Sequence, residues 1–443
     1  MLNKKTSRLL LTIAVTACSL HASAQISDQD GPKSTKENSP YSRFGIGNLN
    51  NGLNAMALSM GGTATAYTDA FSVNSFNPAT YSFIKATSLD FGLQASSNSV
   101  FMDNKNYSSG TVTFSYFSLG IPVNKYGGLV FGFKPISTMY FNSNDTSNVD
   151  GLGNTVFNNN GSGGTQYAYL GLSGRYKGFS LGFNAGYVFG SFDYAQSFYS
   201  LDKNSDSVPS SRGGDFMQQK QVGGLYWKGG LMYQAKLKKD HFLNIGATLN
   251  LSQKLTVHED TWDRAYIRGA DGGFVSLDTV NQNTEVKGAL QMPAEYALGV
   301  SYGKEMNWSI GADFKYADWA NFQMMGDRTG ISDDAWRMSI GGEFTPNPKA
   351  TYKKYLSMVT YRLGAYYGKD NISLNGIEVD YVGGTIGASF PLKRQFTQFG
   401  RINTTLDMGK RGTTENGLAR EFFVKFTFGL SLNDIWFIRP KYN

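Results

Sequence analysis

Histidine, cysteine and clustered acids are the residues that most often do chemistry, and this chain is poor in all three. Of its three histidines, His241 and His258 lie far from the N-terminus, and Cys18 is the single cysteine. His258-Glu259-Asp260 brings three metal-binding types together. Adjacent residues on extended backbone point alternately to opposite sides and chelate poorly, so the triplet reads as a solvated, charged loop. No phosphate-binding glycine loop or Cys/His cluster is present. We therefore expect no catalytic residues, no metal and no cofactor. Two other features carry physical consequences. Pro135 sits inside FGFKPISTMYF, flanked by Phe133 and Ile136. It lacks an N–H, so a strand there loses a ladder bond and kinks. Asp313, Lys315 and Lys425 alternate with apolar neighbours and must face water or a polar interior.

The elements that position these residues read as strands. In FVKFTFGLSL, Val424, Phe426, Phe428, Leu430 and Leu432 alternate with Lys425, Thr427, Gly429 and Ser431. FSLGFNAGYVF and NWSIGADFKY show the same period of two, with one apolar face. Fourteen such segments follow one another, near 86–99, 108–122, 127–142, 165–176, 179–195, 221–236, 241–256, 286–303, 307–319, 335–345, 356–368, 378–391, 398–409 and 420–432. Most have the nine to eleven residues that a tilted membrane strand needs. The connections sort by parity. Those after strands 3, 5 and 7 are long and polar, and those after strands 2, 4, 6 and 8 are short. Long outer loops and short periplasmic turns are what an outer-membrane barrel has. A soluble sandwich has no reason for that sorting, and no blade-length repeat supports a propeller. The expected fold is all-β, a 14-stranded antiparallel transmembrane β-barrel.

Composition agrees. Among 443 residues there are 52 glycines, and aromatics make up 14%. Lys4, Lys5 and Arg8 followed by LLLTIAVTACSL and Ala22-Ser23-Ala24 read as a secretory signal, residues 1–24. A competing reading makes Val15-Thr16-Ala17-Cys18 a lipidation site. The later cleavage site favours the first. Removing the signal takes three positive charges and no acids, so the net charge falls from +7 by three. The remainder is spread thinly and leaves no nucleic-acid footprint. Residues 25–40 are polar, with Gly and Pro, and read as a flexible leader. The barrel occupies 86–432, and 433–443 form a C-terminal tail. Between leader and barrel, 41–85 shows no strand period. A barrel of fourteen strands is too wide for its own side chains to fill. Gly61, Gly62 and their small neighbours allow close packing, and Asn77-Pro78-Ala79 is a turn unit, so 41–85 reads as a lumenal hatch. A periplasmic arm is the alternative.

The stretch GGTATAYTDAFSVNSFNPATYSFIKATSLDFG resembles the hatch of FadL-type outer-membrane transporters. LQMPAEYALGVSYGKEMNWSIGADFKYADWANF resembles a second stretch of that family, through Pro293, Gly299, Tyr302, Trp308, Ile310, Asp313, Tyr316, Trp319 and Phe322. The overall pattern, with SPYSRFGIGNL, is similar to a Bacteroidota branch that also contains barrels serving as secretion-machine subunits. The resemblance implies a bacterial outer-membrane channel for passive uptake of hydrophobic small molecules, such as fatty acids or aromatic compounds. It also implies a lateral opening at the third-strand kink, here Phe133, Pro135 and Ile136, against the plainer reading of a kink that only shapes the rim. Trp262, Tyr266, Ile267 and Phe274, in the long connection after strand 7, either form an outer patch that catches ligand or belong to a membrane-interface girdle. Expected partners are the lipid bilayer, a hydrophobic ligand, and outer-membrane or periplasmic proteins. The alternative function is a non-transporting subunit or partner-docking scaffold of an outer-membrane secretion or assembly machine. The extra leader and the tail NDIWFIRPKYN depart from the family pattern.

Overall fold

The structure, a computed structural model, describes residues 38–435 except 51, 103–104, 151–152, 201–210, 269–273, 351, 394 and 396. The signal, Cys18, most of the leader and nearly all of the tail lie outside the described residues. Fourteen strands make the wall. They are β1 (Thr87–Met102), β2 (Lys105–Val123), β3 (Gly127–Val149), β4 (Gly153–Tyr176), β5 (Phe179–Ser200), β6 (Ser211–Lys236), β7 (His241–Asn250 continuing as Gln253–Arg268), β8 (Phe274–Met292 continuing as Ala294–Lys304), β9 (Trp308–Asp318), β10 (Asp334–Phe344), β11 (Thr360–Leu374), β12 (Ile377–Pro391), β13 (Phe399–Arg411) and β14 (Arg420–Asp434). Each pairs antiparallel with its neighbour, and β14 closes on β1 from Arg420↔Phe101 to Asp434↔Thr87. Among the described residues helix is nearly absent; the α-helical turn there is Ala55–Leu58.

The alternation seen in the sequence sets the two faces. On β5, Phe179, Leu181, Phe183, Tyr187 and Phe189 are exposed, while Ser180, Asn184 and Val188 are buried. The outer face is therefore apolar and the inner face small or polar, as a barrel wall in lipid requires. Near one tight-turn rim, Tyr302 and Trp308 pack edge-on at 5.5 Å, with His241 stacked on Tyr302. Aromatic rings of this kind suit the membrane interface.

One expectation fails. The connections after strands 3 and 7 are not long loops, and after strand 5 the pairing runs on to residues 201–210, which lie outside the described residues. The β3–β4 ladder runs on to Val149↔Gly153, β5 and β6 pair out to Tyr199↔Gly213, and β7 and β8 pair to Arg268↔Phe274. Above the apolar belt both faces meet water, so the hydropathy alternation fades although the backbone ladder does not. The result is an uneven rim. β4 and β6 have 24 and 26 residues, while β9 and β10 have 11 each. Strands β3 to β8 thus stand beyond the rest as a six-stranded screen.

The wall is also unzipped at two places. β2 and β3 pair only from Phe117↔Phe133 to Val123↔Gly127. From there β3 continues along β4, with a bulge at Ile136. The register of the ladder is thus interrupted next to Pro135. The missing N–H removes a ladder bond there. Across the ring, β8 pairs with β9 only below Pro293, from Ala294↔Asp318 to Lys304↔Trp308.

Candidate functional site

The candidate site is the region between the inner wall and residues 41–85. Asn54 starts the segment's helical turn by accepting a bond from Ala57 N at 2.9 Å. Asn77 caps the 3-10 turn Pro78–Phe83 by accepting from Ala79 N. Its amide group also donates to Thr65 O and to Leu231 O on β6. The sequence reading of Asn77-Pro78-Ala79 as a turn thus agrees with its local geometry. Gly61 and Gly62 both have positive φ, +69° and +83°, which glycine adopts without a Cβ clash.

The wall grips this segment from nearly every side. Asp313 on β9 accepts from Ala64 N and Thr65 N at 2.7 Å and from Thr65 Oγ1 at 2.8 Å. Asp90 on β1 accepts from Val73 N at 2.6 Å and Ser72 Oγ at 2.9 Å. Arg337 and Lys315 donate to the carbonyls of Gly61 and Gly62. Thr405, Ser301, Ser180 and Asn433 reach the carbonyls of Ala55, Ala66, Ala79 and Phe71. The segment has little ladder of its own, so these side chains satisfy backbone groups that would otherwise be buried unpaired. Close approach matters as well. A Cβ on Gly364 would lie 2.1 Å from Gly61 N, and one on Gly341 2.2 Å from Met60 O.

Asp69 adds a charge-based lock. It accepts from Phe71 N and pairs with Arg401 at 2.7 Å. Burial pushes its carboxyl up, but the Arg401 charge and bonds outweigh burial and hold it below its usual range. Its contribution is complete above the ordinary carboxylate pKa and is lost as pH falls through the depressed folded value. Hydrogen exchange at residues 69–73 is therefore expected to stay slow down to about pH 4 and to rise below it. In Arg401→Gln the rise should begin at a higher pH, because burial is then opposed only by the Phe71 N–H bond and the more distant Arg362 charge. An unchanged profile in that variant would show that the pair does not hold the segment.

A chamber of about 260 Å3 remains between segment and wall. Phe76, Asn48 and Leu49 border it from the segment, and Lys228, Glu295, Lys315, Arg337, Asp407 and Lys425 border it from the wall. Lys228 and Lys315 place their ammonium groups 3.8 and 4.0 Å from the centroid of Phe76, two cation–π contacts on one ring. The chamber thus mixes charged groups with aromatic side chains, among them Trp319, Trp336, Tyr366 and Phe423. Asp313, Lys315 and Lys425, singled out by alternation, all meet the interior. Among the described residues no group of three or more His, Cys, Asp or Glu is placed to hold a metal ion.

Other residues singled out in the sequence lie apart from the chamber. Pro135 is buried and Ile136 packs against the interior cluster, while the Phe133 ring lies 5.4 Å from Phe114 and 6.3 Å from Phe189. Trp262, Tyr266 and Ile267 sit on β7 and Phe274 on β8, in paired strands rather than a loop. Tyr266 is buried and donates to Phe198 O. The sequence reading missed the connection between β9 and β10. Trp319, Phe322, Met324 and Ile331 are buried together against Ile46, Leu255, Leu290 and Met292. The available signal was a loop carrying Trp, Phe and two Met between turn formers, which an exposed loop has no reason to hold.

A closed 14-strand barrel with an apolar outside and a small-residue inside defines the class of FadL-type barrels and points to an outer-membrane protein. The toluene transporter TodX of Pseudomonas putida matches with a TM-score of 0.56 at 17% identity, over 88% of this chain and 99% of its own. A Pseudomonas aeruginosa FadL homologue matches at 0.54 and 13%, over 87% and 98%, and the toluene transporter TbuX of Ralstonia pickettii at 0.51 and 17%, over 87% and 99%. At such identities the likeness establishes the fold. The chain belongs to the BamG family, whose model matches residues 9–443. Among curated proteins none matches it.

Proposed function

We propose that this protein is a stoppered outer-membrane barrel, with 41–85 as its hatch, that acts as a partner-docking scaffold of an outer-membrane assembly machine. The charged chamber carries this reading. A channel for greasy molecules needs an apolar path between hatch and wall, and in the space present there lysine, arginine and carboxylate groups interrupt the aromatic lining. The family that matches the whole chain bears a different name from the solved channels. The screen formed by β3 to β8 supplies a surface that the short side of the rim lacks. On β3, residues 142–148 are exposed throughout.

The full-length protein, extracted from its own membranes in mild detergent, is expected to bring other outer-membrane proteins with it in fixed ratio. Replacing 144–158, the paired tip of β3 and β4, by a two-residue turn should leave the barrel folded and abolish that co-purification. A barrel that purifies alone overturns the reading.

A second reading has its own observation. The β2–β3 ladder ends at Phe117↔Phe133, beside Pro135. There a hydrophobic molecule would leave sideways into the bilayer, and the solved neighbours are named as toluene and monoaromatic hydrocarbon channels. Purification alone together with uptake of a monoaromatic compound would favour it.

A further inference from the structure

Each unzipped seam begins at a proline, and each bare strand edge is met by two residues of a segment that folds inward. Above Pro135, Asn48 and Leu49 pair with Thr138 and Ser137, and Asn50 N donates to Ile136 O at 2.7 Å. Above Pro293, Gln323 and Met324 pair with Gln291 and Leu290, and Met325 N donates to Ala289 O at 2.9 Å. The first pair belongs to the N-terminal segment, the second to the β9–β10 connection. A bare edge offers unpaired N–H and C=O groups, so each short strand satisfies what the proline released.

The two segments also touch one another. A Cβ on Gly330 would come 2.3 Å from the Phe44 ring, and one on Gly45 2.8 Å from Ile331 Cδ1 and 3.4 Å from the Phe322 ring. Gly45 and Gly330 have φ of +59° and +73°, so the chain turns at both contact points. Ile46, Trp319, Phe322, Met324 and Ile331 share one buried cluster. On its far side the connection is tied to β11, through Ser332 N to Asn371 O and Ser373 N to Gly330 O.

We propose that the two seams are closed by one coupled device. The strand pair at Pro135 and the strand pair at Pro293 release together, because their carriers interlock at Phe44–Gly330 and Gly45–Ile331. Withdrawing Asn48–Leu49 from β3 would pull Phe44 and Ile46 out of that packing. The void left beside Phe322 and Ile331 destabilises the second strand pair, since close-packed interiors collapse only in part around a gap. The inference stands on packing and does not depend on either reading of the function.

The test uses the full chain with Leu49→Cys and Ser137→Cys, directly paired positions whose Cα separation in an antiparallel ladder suits a disulfide. Oxidation locks the first seam. Hydrogen exchange in residues 319–332 is then expected to slow about threefold or more against the reduced protein. Adding Phe44→Ala should erase that slowing while the lock stays closed. If the first pair does not cross-link, Gln291→Cys with Gln323→Cys locks the second seam, and exchange at residues 44–50 is read instead. Unchanged exchange on the far side of a closed lock overturns the proposal.

Discussion

Deleting residues 41–85 is expected to turn a barrel that carries no steady current into an open pore. Fourteen strands enclose more space than inward side chains fill, and here many of those that face the segment are small. Ser180 and Asn184 on β5, with Gly182 between them, bond or touch Ala79, Tyr81 and Pro78 instead of reaching across the ring. Gly341 and Gly364 stand against the backbone of Met60 and Gly61. Without the segment, these positions line water. Planar-bilayer recording should show stable open steps for the deletion variant and none for the full chain. Heat-dependent gel migration checks that the deleted barrel is still folded. A folded variant with no conductance would mean that something else closes the ring, and the β9–β10 connection would be the first place to look.

Asp313→Ala is expected to be the most damaging single substitution on the inner wall. The carboxylate accepts three bonds from Ala64 and Thr65, and it is buried. Removing it leaves two backbone N–H groups buried with no acceptor, a loss of about 3 kcal/mol or more. Gly61 and Gly62 keep their own bonds, from Arg337 and Lys315 to their carbonyls and from their N–H groups to Thr385 Oγ1 and Ala57 O, so the loosening should centre on residues 63–66. Hydrogen exchange there is expected to rise by about two orders of magnitude, as that energy implies. Strands β9 and β10, held by their own ladder, should change little. Asp313→Asn, which keeps an acceptor oxygen, should recover part of the protection. Equal exchange in the alanine variant and the parent would show that the packing of Thr65 against Gly299 and Gly246, not the carboxylate, fixes the segment.

The amino-acid sequence by itself determined the wall. Period-two alternation as in Phe179–Phe189 and Val424–Leu432 comes from a pleated strand with lipid on one side only, so strand number, facing and antiparallel order were legible. Pro135 was legible as an interruption of the ladder because a missing N–H is a local property. The inward direction of Asp313, Lys315 and Lys425 followed from alternation too. What tertiary structure alone decided lies where that asymmetry ends. Above the apolar belt both strand faces meet water, so the screen looked like loops, and Tyr266 was read as exposed although it is buried. The charged character of the chamber could not be read from any window, and for Trp319–Ile331 the apolar residues of the connection signalled burial but not what they pack against. Each depends on contacts between segments hundreds of residues apart in the chain, such as Phe44 with Gly330, and a linear pattern records only what a residue's immediate neighbours impose.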